Sequence, residues 1–556
     1  MSELASRAGS LTRRAGAGPR RLPPAWTITA VLAVAYLIIA PSSPDLAAAS
    51  YRSELFARSG FSLWDNSWYG GHHLLAYSVL APALGAALGP RLVAALSMTI
   101  ATALFAVLIE GRFPARATRL AGAWFALGAG VGLLSSRVPF DLGLAIGLGS
   151  LVLAQRRLCW AALALAVLCS LASPVAGAFL ALAFLAWALA GSPRGWPGVL
   201  TAGALAPIAL LTLAFPEGGS QPFVASAFYP ALVGVIVVGA LIPPEQRALR
   251  IGALLYGLAL TGSYVLDTAV GGNSDRLGSL VAGPLAACLL AGGANVANGP
   301  TRARARGRAR RRWALIVLAP FLLYWQANAP VADFVASSSD PGVHASYYAP
   351  LLRELRALRV GYSARPARIE VVPTTDHWEA RWVAPHVPLA RGWERQLDNL
   401  RNALFYEESK PLGAARYHAW LMQSAVSYVA LPDAPLDYSA KGEAHLLRAG
   451  AAPYLREVWR SRHWRLFAVL DPTPLAQPPA VLDSLGTDSL TLYAPRPGAY
   501  TVRVRFTPYW ALESGSGCVA RAPGEWTRIS ARRAGSFHLV IRFSLARTLS
   551  RGPRCS

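Results

Sequence analysis

From Ser42 to Pro82 the chain reads SSPDLAAASYRSELFARSGFSLWDNSWYGGHHLLAYSVLAP. An apolar run, Trp26 to Ala40, comes directly before it, and another begins near Leu92. The stretch is therefore expected to be an extramembrane loop between two spans. It carries Asp45, Tyr51, Arg52, Glu54, Arg58, Trp64, Asp65, Asn66, Trp68, Tyr69, Gly70–Gly71 and His72–His73. A segment that only joins two helices needs none of these. The loop is expected to bear the functional site, with the rest of the chain holding, feeding or covering it.

Working outward, the 556 residues are 54% hydrophobic and 15% charged, with mean hydropathy +0.36. That is too apolar for an ordinary soluble protein. The apolar residues concentrate before Gln326, and the remainder reads as water-soluble. The formal net charge is +24. Most of the excess is arginine lying between hydrophobic runs, where the positive-inside bias puts it. This argues for membrane topology and against nucleic-acid binding.

Residues 1–23 form a basic tail expected to stay cytoplasmic, with no cleavable signal. Residues 24–329 are expected to hold about eleven spans. These fall near 24–41, 91–110, 120–134, 139–155, two within 158–190 broken at Ser173–Pro174, 196–215, 228–243, 251–269, 277–297 and 313–329. Arg112, Arg116, Arg119, Arg156, Arg157, Arg194, Arg247, Arg250 and the run Arg302 to Arg312 all fall at alternate turns. That pattern predicts a plasma-membrane protein with its N-terminus cytoplasmic and its C-terminal region extracytoplasmic. Residues 330–470 alternate helical and β-branched stretches, as an α/β domain does. Residues 471–556 contain alternating strands, such as Tyr500, Val502, Val504 and Phe506, and suggest a small β-sandwich. Cys518 and Cys555 fall in this exported part, where a disulfide is permitted, though their spacing does not dictate one.

Sugar transfer from a lipid phosphate needs a base for the acceptor hydroxyl and positive charge for the leaving phosphate. Asp45 stands just past the first span, where a lipid-borne sugar would be presented. Ser-Pro-Asp before Leu-Ala-Ala-Ala is equally a helix cap, and one residue can serve both roles. Asp65 is the second catalytic candidate. Trp64, Trp68 and Tyr69 around it read as a sugar-binding subsite or as an interfacial aromatic belt. Arg276, Arg52 and Arg137 are donor-phosphate candidates, because arginine at an outer turn runs against the charge bias. Each also has a local acid for an ion pair: Asp275, Glu54 and Asp141 respectively. Metal ligation by His72–His73 with Asp65 or Asp45 is the weaker reading, since neighbouring histidines diverge on a helix and no HExxH spacing exists. The dense stretch from Asp376 to Gln396 suits acceptor contact or docking onto the loops, and its spacing forms no hydrolase triad.

The basic tail, first span, early loop Asp and later Trp-Asp-Asn-Ser-Trp-Tyr-Gly-Gly-His, followed by Tyr-Ser-Val-Leu-Ala-Pro, resemble the GT-C superfamily of polytopic membrane glycosyltransferases. The similarity is greatest to its divergent bacterial, YfhO-like members, and covers mainly residues 24–300. It implies an inverting enzyme that moves a sugar from a polyprenyl-phosphate donor to a cell-envelope glycan or lipid acceptor. By position it makes Asp45 the base and Arg276 the phosphate contact. A divalent metal such as Mg or Mn is implied for some members, but the paired acidic motif common in their first loop is absent here. The competing expectations are a transporter or lipid flippase, and a non-catalytic envelope scaffold. Spans nearly free of charge and loops rich in it count against transport, and the scaffold reading stays open.

Overall fold

The computed structural model describes residues 23–191, 195–291, 301–363, 366–407 and 410–549, with 552, 554 and 555; side chains in parts of 301–311 are also not described. The expected cytoplasmic tail thus lies almost wholly outside the described residues. The N-terminal part is a bundle of helices. In order these are α1 (Ala25–Ile39), α2 (Pro44–Ser59), α3 (Ala81–Leu88), α4 (Pro90–Ile109), α5 (Ala115–Gly132), α6 (Val138–Gln155), α7 (Cys159–Ala172), α8 (Pro174–Leu189), α9 (Trp196–Ala214), α10 (Ala225–Ala240), α11 (Arg247–Val265), α12 (Asp275–Ala291) and α13 (Thr301–Ser338). Proline opens α2, α4, α6 and α8, where its missing N–H costs nothing.

Within the described residues the expected apolar runs fall on helices, residues 292–297 of the tenth lying outside them, and the count of about eleven crossings is not confirmed. Six described helices are long and apolar enough to cross a membrane, or seven if the bent pair α1 and α2 counts as one. α7, α8 and α10 are apolar but have only 14, 16 and 16 residues. They rise about 21–24 Å against a hydrocarbon core of about 30 Å. α13 also differs from expectation: it runs unbroken through Pro320 and Pro330 to Ser338, well beyond the anticipated end.

The loop between α1 and α4 is less irregular than its composition implies. α1 ends at Ala40, in the left-handed region, and α2 begins at Pro44, turned by 76°. Beyond α2, Trp64–Asp65 pairs antiparallel with His72–His73 as a short hairpin. Gly70 and Gly71 both have positive φ in its turn, and a Cβ on Gly71 would lie 2.3 Å from the Trp64 ring.

The C-terminal portion has two layers of architecture. One is a mixed four-stranded sheet: Arg368–Val371 lies parallel to Val426–Pro432, followed by antiparallel Trp464–Val469 and Leu455–Arg460. The other is a pair of antiparallel four-stranded sheets with Leu490, Leu492, Leu539, Val502, Val504 and Ile529 in one shared core. Cys518 and Cys555 form a disulfide between neighbouring strands of this pair.

The hairpin locks the two portions together. Asn66 N–H donates to the Thr487 carbonyl at 2.8 Å, Leu389 N–H to Ser67 at 2.8 Å, and Arg505 N–H to Gly70 at 2.7 Å. Trp64 sits in the core of the paired sheets, edge-on to Trp510 at 6.3 Å. On the membrane side, Glu217 from the α9–α10 connection pairs with His73 Nδ1 at 2.6 Å and Arg401 at 3.0 Å. Burial alone would lift the Glu217 carboxyl, but the His73 bond and the charge of Arg401 hold it down to about 2.

Two outcomes follow for stability. Gly71→Ala is expected to destabilise by about 1–3 kcal/mol from backbone strain, with overpacking against Trp64 adding a similar amount. Gly60→Ala shares the positive φ but meets nothing within 4 Å, so thermal unfolding should show a distinctly smaller loss for it. For Glu217 the folded value lies below the unfolded one. Its contribution is therefore full above about pH 4.5 and lost as pH falls toward 2. Glu217→Gln should lower the thermal midpoint at pH 7 and flatten its decline between pH 5 and 3.

Candidate functional site

Ser43, not Asp45, caps α2: its hydroxyl oxygen accepts from Leu46 N–H at 3.4 Å and its O–H donates to the Ser135 carbonyl at 2.8 Å. Asp45 is thereby released from the capping role and stands in the first turn, where the helix dipole favours negative charge. Its side chain is 31% exposed. Arg137, just ahead of α6, brings Nε to 3.5 Å from Asp45 Oδ2, and Arg276, in the first turn of α12, brings Nη2 to 3.7 Å. The local pairings open to these arginines, with Asp141 and Asp275, are not the ones formed. Asp275 instead accepts from Trp325 Nε1 at 2.7 Å. Arg276 also lies over the Phe140 ring at 5.5 Å. An acid and two guanidiniums from three separate segments thus meet in a partly open spot.

Arg52 lies seven residues beyond Asp45, two turns along the same face of α2. It does not join the open cluster. Its guanidinium is buried, pairs with Glu394, and lies over the Tyr77 ring at 4.0 Å and the Trp68 ring at 5.2 Å. Its expected local partner, Glu54, is held by Arg381 instead. Tyr77 stands between the two groups, within the field of Asp45, Arg52, Arg276 and Glu394; burial pushes its hydroxyl up to about 12, so it stays protonated. Burial also lifts Glu394 to about 6 despite the Arg52 charge.

The expected second site at Asp65 is closed. Asp65 is fully buried, accepts from Tyr51 O–H at 2.8 Å and from Ser67 N–H at 2.9 Å, and its carboxyl is pushed up by burial. The sugar-binding reading of Trp64, Trp68 and Tyr69 does not survive the fold. Trp68 is fully buried and stacks on Tyr51 at 4.5 Å and His72 at 5.4 Å, which leaves no ring face open to a sugar. Trp64 is buried against His73 and Trp510. Tyr69 is buried and exchanges hydrogen bonds with Glu394, donating to its carbonyl at 3.2 Å and accepting from its N–H at 2.9 Å. These rings hold the seam between the two portions. His72 is buried and driven down to about 3, and His73 is bonded to Glu217 and Thr507. Among the described residues no three His, Cys, Asp or Glu side chains converge as a metal site. Asp45 itself is a poor start for one, since its ion-pair partners are two cations.

The Asp376–Gln396 stretch is where composition pointed to docking or acceptor contact, and the individual contacts were not legible. Trp393 Nε1 donates to the Pro44 carbonyl at 2.6 Å, one residue before Asp45. The His377 ring stacks on Trp393 at 4.0 Å, and Arg395 pairs with Asp437 at 2.7 Å. Burial would lower His377, but its bonds to Asp437 and Glu379 raise it. A buried, charge-paired network therefore fixes the backbone that presents Asp45. Asp376 beside it is 1% exposed, neither carboxylate oxygen has a hydrogen-bond partner among the described residues, and burial together with Asp340 lifts it to about 7.

No protein-family model matches the sequence, and no curated protein sequence matches it. Among solved structures, the chain is similar to two forms of the arabinofuranosyltransferase AftD from Mycobacteria, at 17% identity with TM-scores of 0.44 and 0.39. The likeness covers 81% and 86% of this chain but only 41% and 43% of those, so the chain spans about two fifths of their length. It is also similar to the archaeal oligosaccharyltransferase AglB from Archaeoglobus fulgidus, in complex with an inhibitory peptide and a dolichol-phosphate. There the identity is 12%, the TM-score 0.36, and the coverage 73% of this chain and 69% of that one.

Proposed function

We propose that the protein is a membrane glycosyltransferase. It moves a sugar from a polyprenyl-phosphate donor to a cell-envelope glycan or lipid, at the membrane face where Asp45 lies. The observation that carries this reading is the partly exposed Asp45 with Arg137 and Arg276 both within 4 Å of its Oδ2. In the resting arrangement the carboxylate is the counter-ion of two guanidiniums. A donor phosphate takes over those guanidiniums through charge-assisted hydrogen bonds, which frees the Asp45 carboxylate. The acceptor oxygen then attacks the anomeric carbon as the bond from that carbon to the phosphate oxygen breaks. The phosphate leaves with the bonding pair toward Arg137 and Arg276, and the acceptor proton passes to Asp45. Attack opposite the leaving group inverts the anomeric centre. Every step is assigned to this chain's own side chains and none is routed through a metal.

Transfer of labelled sugar from a polyprenyl-phosphate donor, followed in reconstituted vesicles, tests the assignment. Asp45→Asn should lower turnover by about 100- to 10,000-fold, the usual weight of a general base, with an unchanged thermal midpoint. Arg276→Gln should raise the donor KM by about tenfold or more, as loss of a charged hydrogen bond does. Asp65→Asn should lower the thermal midpoint while the folded fraction stays active. Full activity of Asp45→Asn, with loss of activity in a stable Asp65→Asn, refutes the placement of the base.

A further inference from the structure

An apolar groove of about 560 Å³ runs along the membrane part between α3, α4, α6 and α7. Its lining extends on α4 from Val93 to Val107 and on α6 from Leu142 to Arg156. Fourteen residues of helix on each side make it about 21 Å long. Leu96 and Ile100 on its wall are about half exposed, so the groove opens sideways to its surroundings. The two ends differ. Near the Asp45 side it is bounded by Leu84 and Leu88 of α3, and no charged side chain lines it there. At the far end it carries Arg156, the one charged residue in its lining among the described residues. Arg157 follows, and both arginines are exposed. Arg112, Arg116 and Arg119 lie at the same end, against the single acid Glu110.

We infer that this groove binds one anionic phospholipid from the leaflet opposite Asp45, with one of its two acyl chains between α4 and α6 and its phosphate on Arg156 and Arg157. The lining suits a single extended hydrocarbon chain and offers almost nothing to a polar ligand. The charge at one end only sets the direction in which the lipid enters: its anionic head group finds guanidiniums at the far end and leucines at the near one. A donor held at Asp45 keeps its phosphate on Arg137 and Arg276, outside the groove, and a tail entering from the leucine end would bring no anion to Arg156. Each arginine at a membrane face is worth about fivefold in affinity for an anionic lipid, which is about 1 kcal/mol. The inference is independent of the reaction assigned to Asp45.

Native mass spectrometry of the full-length protein in mild detergent tests it, with dioleoyl phosphatidylglycerol and dioleoyl phosphatidylcholine added in equal amounts. One retained phosphatidylglycerol is expected, at about 25-fold preference over phosphatidylcholine. Arg156→Gln and Arg157→Gln should each cut that preference about fivefold. Ile100→Trp fills the groove from an exposed position and should remove the bound lipid of either class, with the thermal midpoint unchanged. Equal retention of the two lipids by the unaltered protein, or an undiminished preference in the double arginine variant, overturns the inference. So does displacement of the phosphatidylglycerol by a polyprenyl phosphate whose own retention survives both arginine substitutions, since that result gives the groove to the donor tail.

Discussion

The chain bends by 76° between α1 and α2, and the candidate site follows from that bend. α2 carries Asp45, Arg52, Glu54 and Arg58, and a continued crossing would place those charges in hydrocarbon at a cost of several kcal/mol. The local chemistry provides the alternative. Ala40 takes the left-handed conformation, Pro44 starts a new helix, and Ser43 caps it. Arg91 donates to the Ala40 and Pro41 carbonyls at 2.9 and 3.0 Å, so the end of α1 is not left unsatisfied. Asp45 therefore emerges one residue into a helix lying across the bundle rather than along it.

The C-terminal portion makes this arrangement rigid. Trp393 donates to the Pro44 carbonyl, Arg381 to Glu54, and Glu394 accepts from Arg52, so three of its side chains grip α2 around Asp45, while Ser337 of α13 donates to the Ser42 carbonyl. The hairpin from Trp64 to His73 does the same one step further along. Its aromatic residues are spent on packing. That follows from size: a tryptophan removes a large apolar surface from water, and a loop caught between a membrane bundle and two sheets has that surface to fill. Asp45, Arg137 and Arg276 stay partly open because none of them is needed for that packing.

Much of the architecture was legible in the residues. The apolar runs became helices, and the alternating stretches after Asp471 became antiparallel strands. The strands Leu455–Arg460 and Trp464–Val469 were not anticipated. In the first of them the side chains facing away from the sheet's core include Arg456 and Val458, so the alternation of polar and apolar residues is blurred. The roles of Trp64, Trp68, Tyr69 and Asp65 were also misread. A cluster of rings and an acid has the same composition whether it faces a sugar or a protein core.

Sequence alone determined which segments are apolar, where proline and serine restart a helix, and that acids and arginines crowd the connections on one side of the bundle. These follow from contacts within a few residues, where helix and strand periodicity and capping act. Only the tertiary structure decided that Asp45 meets Arg137 and Arg276 rather than leaving each to its neighbouring acid, and that the aromatic hairpin is shut. Ion pairs depend on separations of a few ångströms between segments far apart in the chain, and those separations are set by how whole helices pack.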